Sequence, residues 1–206
     1  MNVDRVYHVF HSRFRPLRMS MFVEYLGVTP QTKVLDVGGS LSIWQCSPLK
    51  PRLTILNITP PPGSLPGDVE WVIGDARDMP FDDRSFDVVF SNSVIEHVGD
   101  FDDQKKCANE IRRVGQRYFV QTPNYFFPVE PHFITPFIHW CPRSVGRKLL
   151  WLTARNIITR DRSRIDELFH EVRLLRPGEM RELFPEAEIK FERFVGLPKS
   201  ILAVKR

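Results

Sequence analysis

Val34-Leu35-Asp36-Val37-Gly38-Gly39-Ser40-Leu41-Ser42 is the stretch on which the reading of the whole chain turns. A short apolar run that begins at Lys33 enters a pair of glycines. Without a Cβ, backbone and ligand can approach closely at such a turn. The dinucleotide fingerprint G-x-G-x-x-G needs glycine at positions 38, 40 and 43, where this chain has Gly38, Ser40 and Ile43. The nicotinamide and flavin readings therefore fail at two of three positions. Asp36 argues against them as well. A carboxylate in the turn repels a pyrophosphate and suits a cationic or amine-bearing ligand.

Outward from this turn, short apolar runs alternate with longer amphipathic stretches, the signature of βα units around a parallel sheet. Lys33–Val37, Leu53–Asn57, Val69–Ile73, Phe86–Ser91 and Arg117–Thr122 read as five strands, the last halted by Pro123. Asp102–Val114 reads as helix. Leu17, Met21, Phe22 and Leu26, near helical spacing, make 15–26 an opening helix that stops at Gly27. Pro60-Pro61-Pro62 form a stiff loop after the second strand, and Pro177 suits a helix start over 177–183. Ala187–Phe194 and Ser200–Val204 share a short link through Gly196-Leu197-Pro198. They must pair antiparallel, because a parallel pair needs a crossover. The expected fold is α/β: a doubly wound, mostly parallel seven-stranded sheet with an antiparallel C-terminal hairpin, in one domain over 1–206. Residues 124–165 break the alternation. They are rich in Phe, Pro, His and Trp, then in Arg, and read as a helical, aromatic insertion after the fifth strand.

The chain has 206 residues and is 42% hydrophobic, an ordinary composition for a protein with a real core. No stretch approaches the roughly 20 consecutive apolar residues that span a bilayer. The opening Met1-Asn2-Val3-Asp4-Arg5 leads into no apolar core of a signal peptide. Peripheral membrane contact stays open. Cys46, Cys107 and Cys141 are few and far apart, which suggests neither a disulfide framework nor a CxxC metal site. A reducing compartment, the cytoplasm, is the expectation. The net charge of +4 is uneven. Arg143, Arg147, Lys148, Arg155, Arg160, Arg162 and Arg164 stand against Asp161 alone. Such a block is either a solvated helix face or a surface for nucleic acid, anionic lipid or an acidic substrate. It comes with no recognisable RNA-binding module, so nucleic acid is the less expected partner.

Polar residues recur where the strands end. Asn57 closes the second. Gly74-Asp75-Ala76 follows the third, with Pro80-Phe81 and Phe86-Asp87 beyond. Ser91-Asn92-Ser93-Val94-Ile95-Glu96-His97 closes the fourth, and Thr122-Pro123-Asn124 the fifth. Taken in order, this set resembles the class I S-adenosylmethionine-dependent methyltransferases, of the type grouped as methyltransferase domain 11. The resemblance runs from about Lys33 to Asn124, and the closing hairpin fits it too. It implies a Rossmann-like fold with S-adenosylmethionine as cofactor, a ligand with both a sulfonium and an amino group. By the same resemblance Asp36 and Gly38, with Gly39 and Ser40 of the same turn, meet the methionine end. Asn57 holds the ribose, Asp75 and Ala76 read the adenine, and Ser91 and Asn92 border the methyl group. The chain departs from the family pattern at Ser40 and Ser42, where glycine is usual, and at Asn57, where an acid is usual. Pro48 also curtails the following helix. Asn57 keeps an acceptor but loses charge-assisted strength, and weaker cofactor binding is the expected cost. That Asp36 caps its own turn, or that Asp75 is an ordinary turn residue, stays open.

His97 and His132 are the candidate catalytic residues. Both follow carboxyl ends of central strands, which face one crevice in a doubly wound sheet, and imidazole has the intrinsic pKa of a general base. Packing is the alternative for each. Ubiquinone-type O-methyltransferases resemble the Ser93–His97 stretch, with a Glu-x-x-Glu-His arrangement that can hold a divalent metal. Here Ser93 stands at the first position, and Glu96 with His97 makes too few ligands; no metal is expected. The aromatic insertion reads as an apolar pocket or lid for the acceptor, or as a cap over the core. The expected activity is methyl transfer to a small-molecule acceptor of natural-product, sugar, lipid-like or quinone type, at oxygen. An RNA or protein acceptor, and a non-catalytic binding protein on the same fold, stay open.

Overall fold

The computed structural model describes residues 3–159 and 162–206; for residues 3–13, 158, 162 and 164 it describes the backbone alone. The chain runs through α1 (Val3–Leu26), β1 (Lys33–Val37), α2 (Leu41–Trp44), β2 (Arg52–Asn57), β3 (Val69–Ile73), β4 (Phe86–Asn92), α3 (Phe101–Val114) and β5 (Gly115–Pro123). A small hairpin of β6 (Val129–Glu130) and β7 (Thr135–Pro136) follows, then α4 (Arg143–Leu149), α5 (Ala154–Thr159) and α6 (Arg162–Glu171). Last come α7 (Pro177–Leu183), β8 (Glu188–Phe194) and β9 (Leu197–Lys205). Seven strands make one sheet in the order β3-β2-β1-β4-β5-β9-β8. The first five pair parallel, and β9 pairs antiparallel with both β5 and β8.

The central strands are near-continuous apolar runs because both faces of the sheet are covered. Period-two alternation sorts their side chains. Leu35, Val37 and Val89 face Ile111 and Val114 of α3. Val34, Val88 and Phe90 face Met19 and Phe22 of α1, with Trp44 beside them. Phe22 anchors that layer, its ring meeting Trp44, Phe90 and Phe119 edge-on at centroid distances of 6.1, 4.8 and 5.8 Å. A buried ion pair ties the first helix to the last hairpin. Arg18 of α1 donates from Nε and Nη2 to the Glu192 carboxylate of β8 at 2.8 and 2.5 Å, and from Nη1 to Asn92 Oδ1 at the end of β4.

Several boundaries differ from the sequence reading. α1 begins at Val3 rather than at 15 and carries Pro16 inside it. β5 includes Pro123, which pairs with Ser200. The closing link shrinks to Val195-Gly196, both at positive φ of 48° and 80°, the backbone of a two-residue hairpin turn. Pro198 lies within β9 because it sits at the strand's start beside a register shift between Glu192 and Arg193, where proline is tolerated. The insertion runs on through α6, past residue 165, and has a core of its own in Phe133, Ile138, Leu150, Ile165 and Leu168. Asn124 pins it to the sheet, donating to the Pro198 carbonyl at 2.8 Å and accepting the Phe126 amide at 3.1 Å. Of the basic block, Arg160 and Asp161 lie outside the described residues, as do the side chains of Arg162 and Arg164. Arg147 forms an exposed pair with Asp166. The three cysteines are free, and no described helix is long and apolar enough to cross a membrane.

Arg18→Met should cost about 3–5 kcal/mol, because it removes the guanidinium that pairs with the buried Glu192 carboxylate. Arg18→Met combined with Glu192→Leu should cost clearly less. Urea unfolding of the two variants checks this; equal losses would mean the pair is not coupled.

Candidate active site

The carboxyl ends of β1 and β4 lie side by side, and the chain leaves them toward opposite flanks of the sheet. A crevice opens at such a switch of strand order. On its β1 side the glycine pair is required twice over. Gly38 has φ +65°, and a Cβ there would lie 2.5 Å from the Val94 side chain. A Cβ on Gly39 would lie 1.8 Å from Asp36 Oδ2. Asp36 is thus packed beneath the turn, 1% exposed. Trp44 Nε1 donates to its Oδ2 at 2.7 Å, and its buried Oδ1 has no partner among the described residues. Burial pushes its pKa up to about 7, against the Trp44 hydrogen bond.

A cleft of about 280 Å³ follows the strand ends, lined by Gly38, Asn57, Asp75, Ala76, Ser93 and His97 among others. Asn57 Nδ2 donates to the Gly39 carbonyl at 2.9 Å, and its Oδ1 accepts from the amide and hydroxyl of Thr59, each at 3.1 Å. It therefore clamps the glycine turn to the end of β2. The Arg77 guanidinium grips Asp75 at 2.6 and 3.0 Å and holds that carboxyl below the usual range. Gly38, Asn57, Asp75 and Ala76 thus line the cleft, whereas Asp36 and Gly39 frame it from behind. Ser40 hydrogen-bonds Ser42 at 2.9 Å. Ser91 is fully buried, its hydroxyl unpartnered among the described residues, and Asn92 is held by Arg18. Neither of these two lines the cleft.

The residue after them does. Ser93 has φ +56° and borders both this cleft and a second cavity of about 310 Å³. Its hydroxyl donates to Gln121 Oε1 at 2.8 Å and its amide to the Gln121 carbonyl at 2.9 Å. The second cavity has apolar walls, including Phe127, Val129, Ile134 and Phe194, with Arg155 and Lys199 among its polar groups. Burial pushes the Lys199 pKa down to about 8. Of the insertion's large aromatics, Phe127 lines this cavity and Phe133 packs in the insertion's own core. Phe137, Trp140 and Trp151 are exposed, so the expected aromatic pocket is narrower than composition suggested.

The two histidines meet where the cavities adjoin. His97 lines the cleft and His132 the second cavity. Their Nε2 atoms are 3.1 Å apart, with the rings edge-on at 87°. His132 Nδ1 stands 2.6 Å from Glu130 Oε1, and Glu130 Oε2 accepts the Phe133 amide at 2.7 Å. Burial pulls the His132 pKa down, but Glu130 and Glu96 outweigh it and the net shift is upward. Glu96 is fully buried; Thr122 donates to its Oε2 at 2.9 Å, and its Oε1 has no partner among the described residues. One ligand atom from each of Glu96, His97 and His132 lies within 4.8 Å of the others, a set able to hold a metal ion. The expectation that no metal is held rested on two ligands, and the insertion brings a third. Sequence reasoning also missed Ser93 and Glu130. The signal for Glu130 was available in Glu130-Pro131-His132, an acid two residues from a histidine.

Residues 35–117 match the family model of the methyltransferase domain. That match takes in β1 to the start of β5, less than half of the chain, and the seven-stranded sheet around it has the Rossmann-like strand order β3-β2-β1-β4-β5-β9-β8. An uncharacterized protein of Mycobacterium tuberculosis is 28% identical over 116 residues, 50% of this chain and 40% of its own length. The chain thus spans about two fifths of the length of the curated relatives it matches. In fold it is similar to magnesium protoporphyrin IX methyltransferase from Synechocystis PCC 6803, solved with bound SAH, at a TM-score of 0.55 and 10% identity over 96% of this chain and 84% of that one. It is also similar to the PH0226 protein from Pyrococcus horikoshii, at 0.56 and 16% over 95% and 89%.

The Asp36 shift makes a pH prediction with a definite sign. The folded protein keeps a proton on Asp36 between about pH 4 and 7 that the unfolded chain releases. Stability should therefore fall as pH rises through that window. Asp36→Asn keeps an acceptor for Trp44 and should remove this fall. Relative to the native protein it should gain as much as about 4 kcal/mol between pH 4 and 8, the linkage worth of three pK units. Denaturant unfolding across that range decides it; parallel pH profiles would remove Asp36 as their source.

Proposed function

We propose that the protein transfers a methyl group from S-adenosylmethionine to an oxygen of a small, largely apolar molecule. The observation that carries this reading is the meeting of two cavities at Ser93 and the His97–His132 pair. The cleft fits such a cofactor: it runs along the carboxyl ends of parallel strands, is floored by a glycine that admits no Cβ, and has polar groups at the ends of β2 and β3. Gly38, Asn57, Asp75 and Ala76 would hold the cofactor there. The SAH bound by the Synechocystis relative supports the same assignment. When bound, the cofactor supplies a methyl group on a sulfonium, a good leaving group.

The protein's part is placement. Orientation of two reactants can contribute as much as ~7–11 kcal/mol to lowering a barrier. Ser93, locked in a left-handed conformation by Gln121, fixes the boundary between the two cavities. Phe127, Val129, Ile134 and Phe194 keep water from the acceptor. His97 and His132 are the groups at that boundary that would engage an acceptor hydroxyl. Residues 124–165 serve as the cover of the acceptor cavity. Its size and apolar walls suit a small molecule better than an RNA or protein chain.

Isothermal calorimetry with S-adenosylmethionine and S-adenosylhomocysteine should show 1:1 binding, and NAD should give none. Asn57→Ala, which frees the Gly39 carbonyl, should weaken binding by about 1–2 kcal/mol. No binding of either compound would remove the methyl-transfer reading. With an acceptor in hand, His97→Ala should lower turnover by about 10²–10⁴-fold at unchanged cofactor affinity. A loss only in proportion to lost fold would make His97 a packing residue.

A further inference from the structure

The geometry points to a divalent metal site at the seam between the two cavities, with Glu96, His97 and His132 as its protein ligands. Four independent observations carry it. The first is distance. Two nitrogens 3.1 Å apart, each about 2.0–2.1 Å from a zinc-like ion, subtend roughly 100° at it, between the octahedral and tetrahedral angles. The second is the tautomer. Glu130 Oε1 stands 2.6 Å from His132 Nδ1, so in the neutral imidazole that nitrogen carries the proton and Nε2 presents its lone pair to the seam. A carboxylate on the far nitrogen of a ligating histidine is the usual outer partner of such sites.

The third observation is Glu96. Its carboxylate is fully buried, and among the described residues Oε1 has no hydrogen-bond partner. A buried carboxyl oxygen left so is costly, and a cation held by the two imidazoles would compensate it. The fourth is rigidity. Arg173 donates its amide to the Glu96 carbonyl at 2.8 Å, and Thr122 of β5 fixes the other carboxylate oxygen at 2.9 Å. Arg155 donates to the His132 carbonyl at 2.9 Å. The ligands therefore come preorganised from two separate parts of the chain.

The donor set names the class of ion. Two imidazoles and one carboxylate suit zinc, manganese, cobalt or ferrous iron rather than magnesium or calcium, which prefer all-oxygen sites. Three protein ligands leave coordination positions open, and these border the cleft and the apolar cavity. An acceptor hydroxyl bound there would be acidified by the ion. That consequence rests on the methyl-transfer reading, whereas the site itself does not.

Chelator-treated, tag-free protein titrated with zinc chloride should bind one equivalent by calorimetry, with no cofactor present. Cobalt chloride should give a visible absorption band and hyperfine-shifted imidazole resonances in the native protein, a readout that needs no variant. His132→Ala and Glu96→Gln should each abolish tight binding. Glu130→Gln, which touches no metal, should weaken it 10–100-fold. Absence of stoichiometric binding, or affinity unchanged in His132→Ala, would overturn the site. Metal binding without S-adenosylmethionine binding would keep the site and remove the methyl-transfer reading; the reverse would remove the site alone.

Discussion

The parallel pairing of β1 with β4 is the constraint on which the rest depends. The chain reaches β1's other neighbour, β2, on one flank and β5 on the other. Connections leaving the two strands therefore diverge and open a crevice above their carboxyl ends. Gly38 brings the β1 turn up to that space, and Val94 packs where its Cβ would be. The same side chain stands between Ser93 and the turn that carries Glu96 and His97. Close packing of one loop on the other thus positions the candidate site.

Buried carboxylates show where the structure tolerates local cost. Glu192 is matched by the Arg18 guanidinium, and Glu130 by His132 and a backbone amide. Both serve packing and positioning with every oxygen satisfied. Asp36 and Glu96 are different: each has one hydrogen-bonded oxygen and one without a partner. Buried polar atoms are rarely left so. These two carboxylates both lie against the crevice, one beneath the glycine turn and one behind the histidine pair. Local rules are broken where a site needs them broken.

The sheet was legible because each central strand is apolar on both faces and ends in a polar or glycine signal. Its last hairpin was legible from a short link, although Pro198 hid where β9 begins. The direction of Asp36 could have been read from strand phase. It shares a face with Val34, which packs on α1, and so it meets Trp44 rather than the cleft. The methyl-side boundary was placed on Ser91 and Asn92, but β4 runs to Asn92 and the chain turns only at Ser93. What the sequence could not reveal is the pairing of His97 with His132. The two are 35 positions apart, and their contact depends on how the insertion folds back through the β6–β7 hairpin and Glu130. No periodicity encodes that return.

The central claim is that the crevice above β1 and β4 is the cofactor site and opens through the histidine pair into the insertion's cavity. Amide hydrogen exchange with and without S-adenosylhomocysteine tests it most directly, because it maps binding without an acceptor or any substitution. Protection should rise in the glycine turn at 38–42, at 57–59, at 75–77 and at 93–98, and change far less in α4 and α5. Saturating ligand that protects α4 and α5 instead, leaving the 38–42 turn unchanged, would contradict the account.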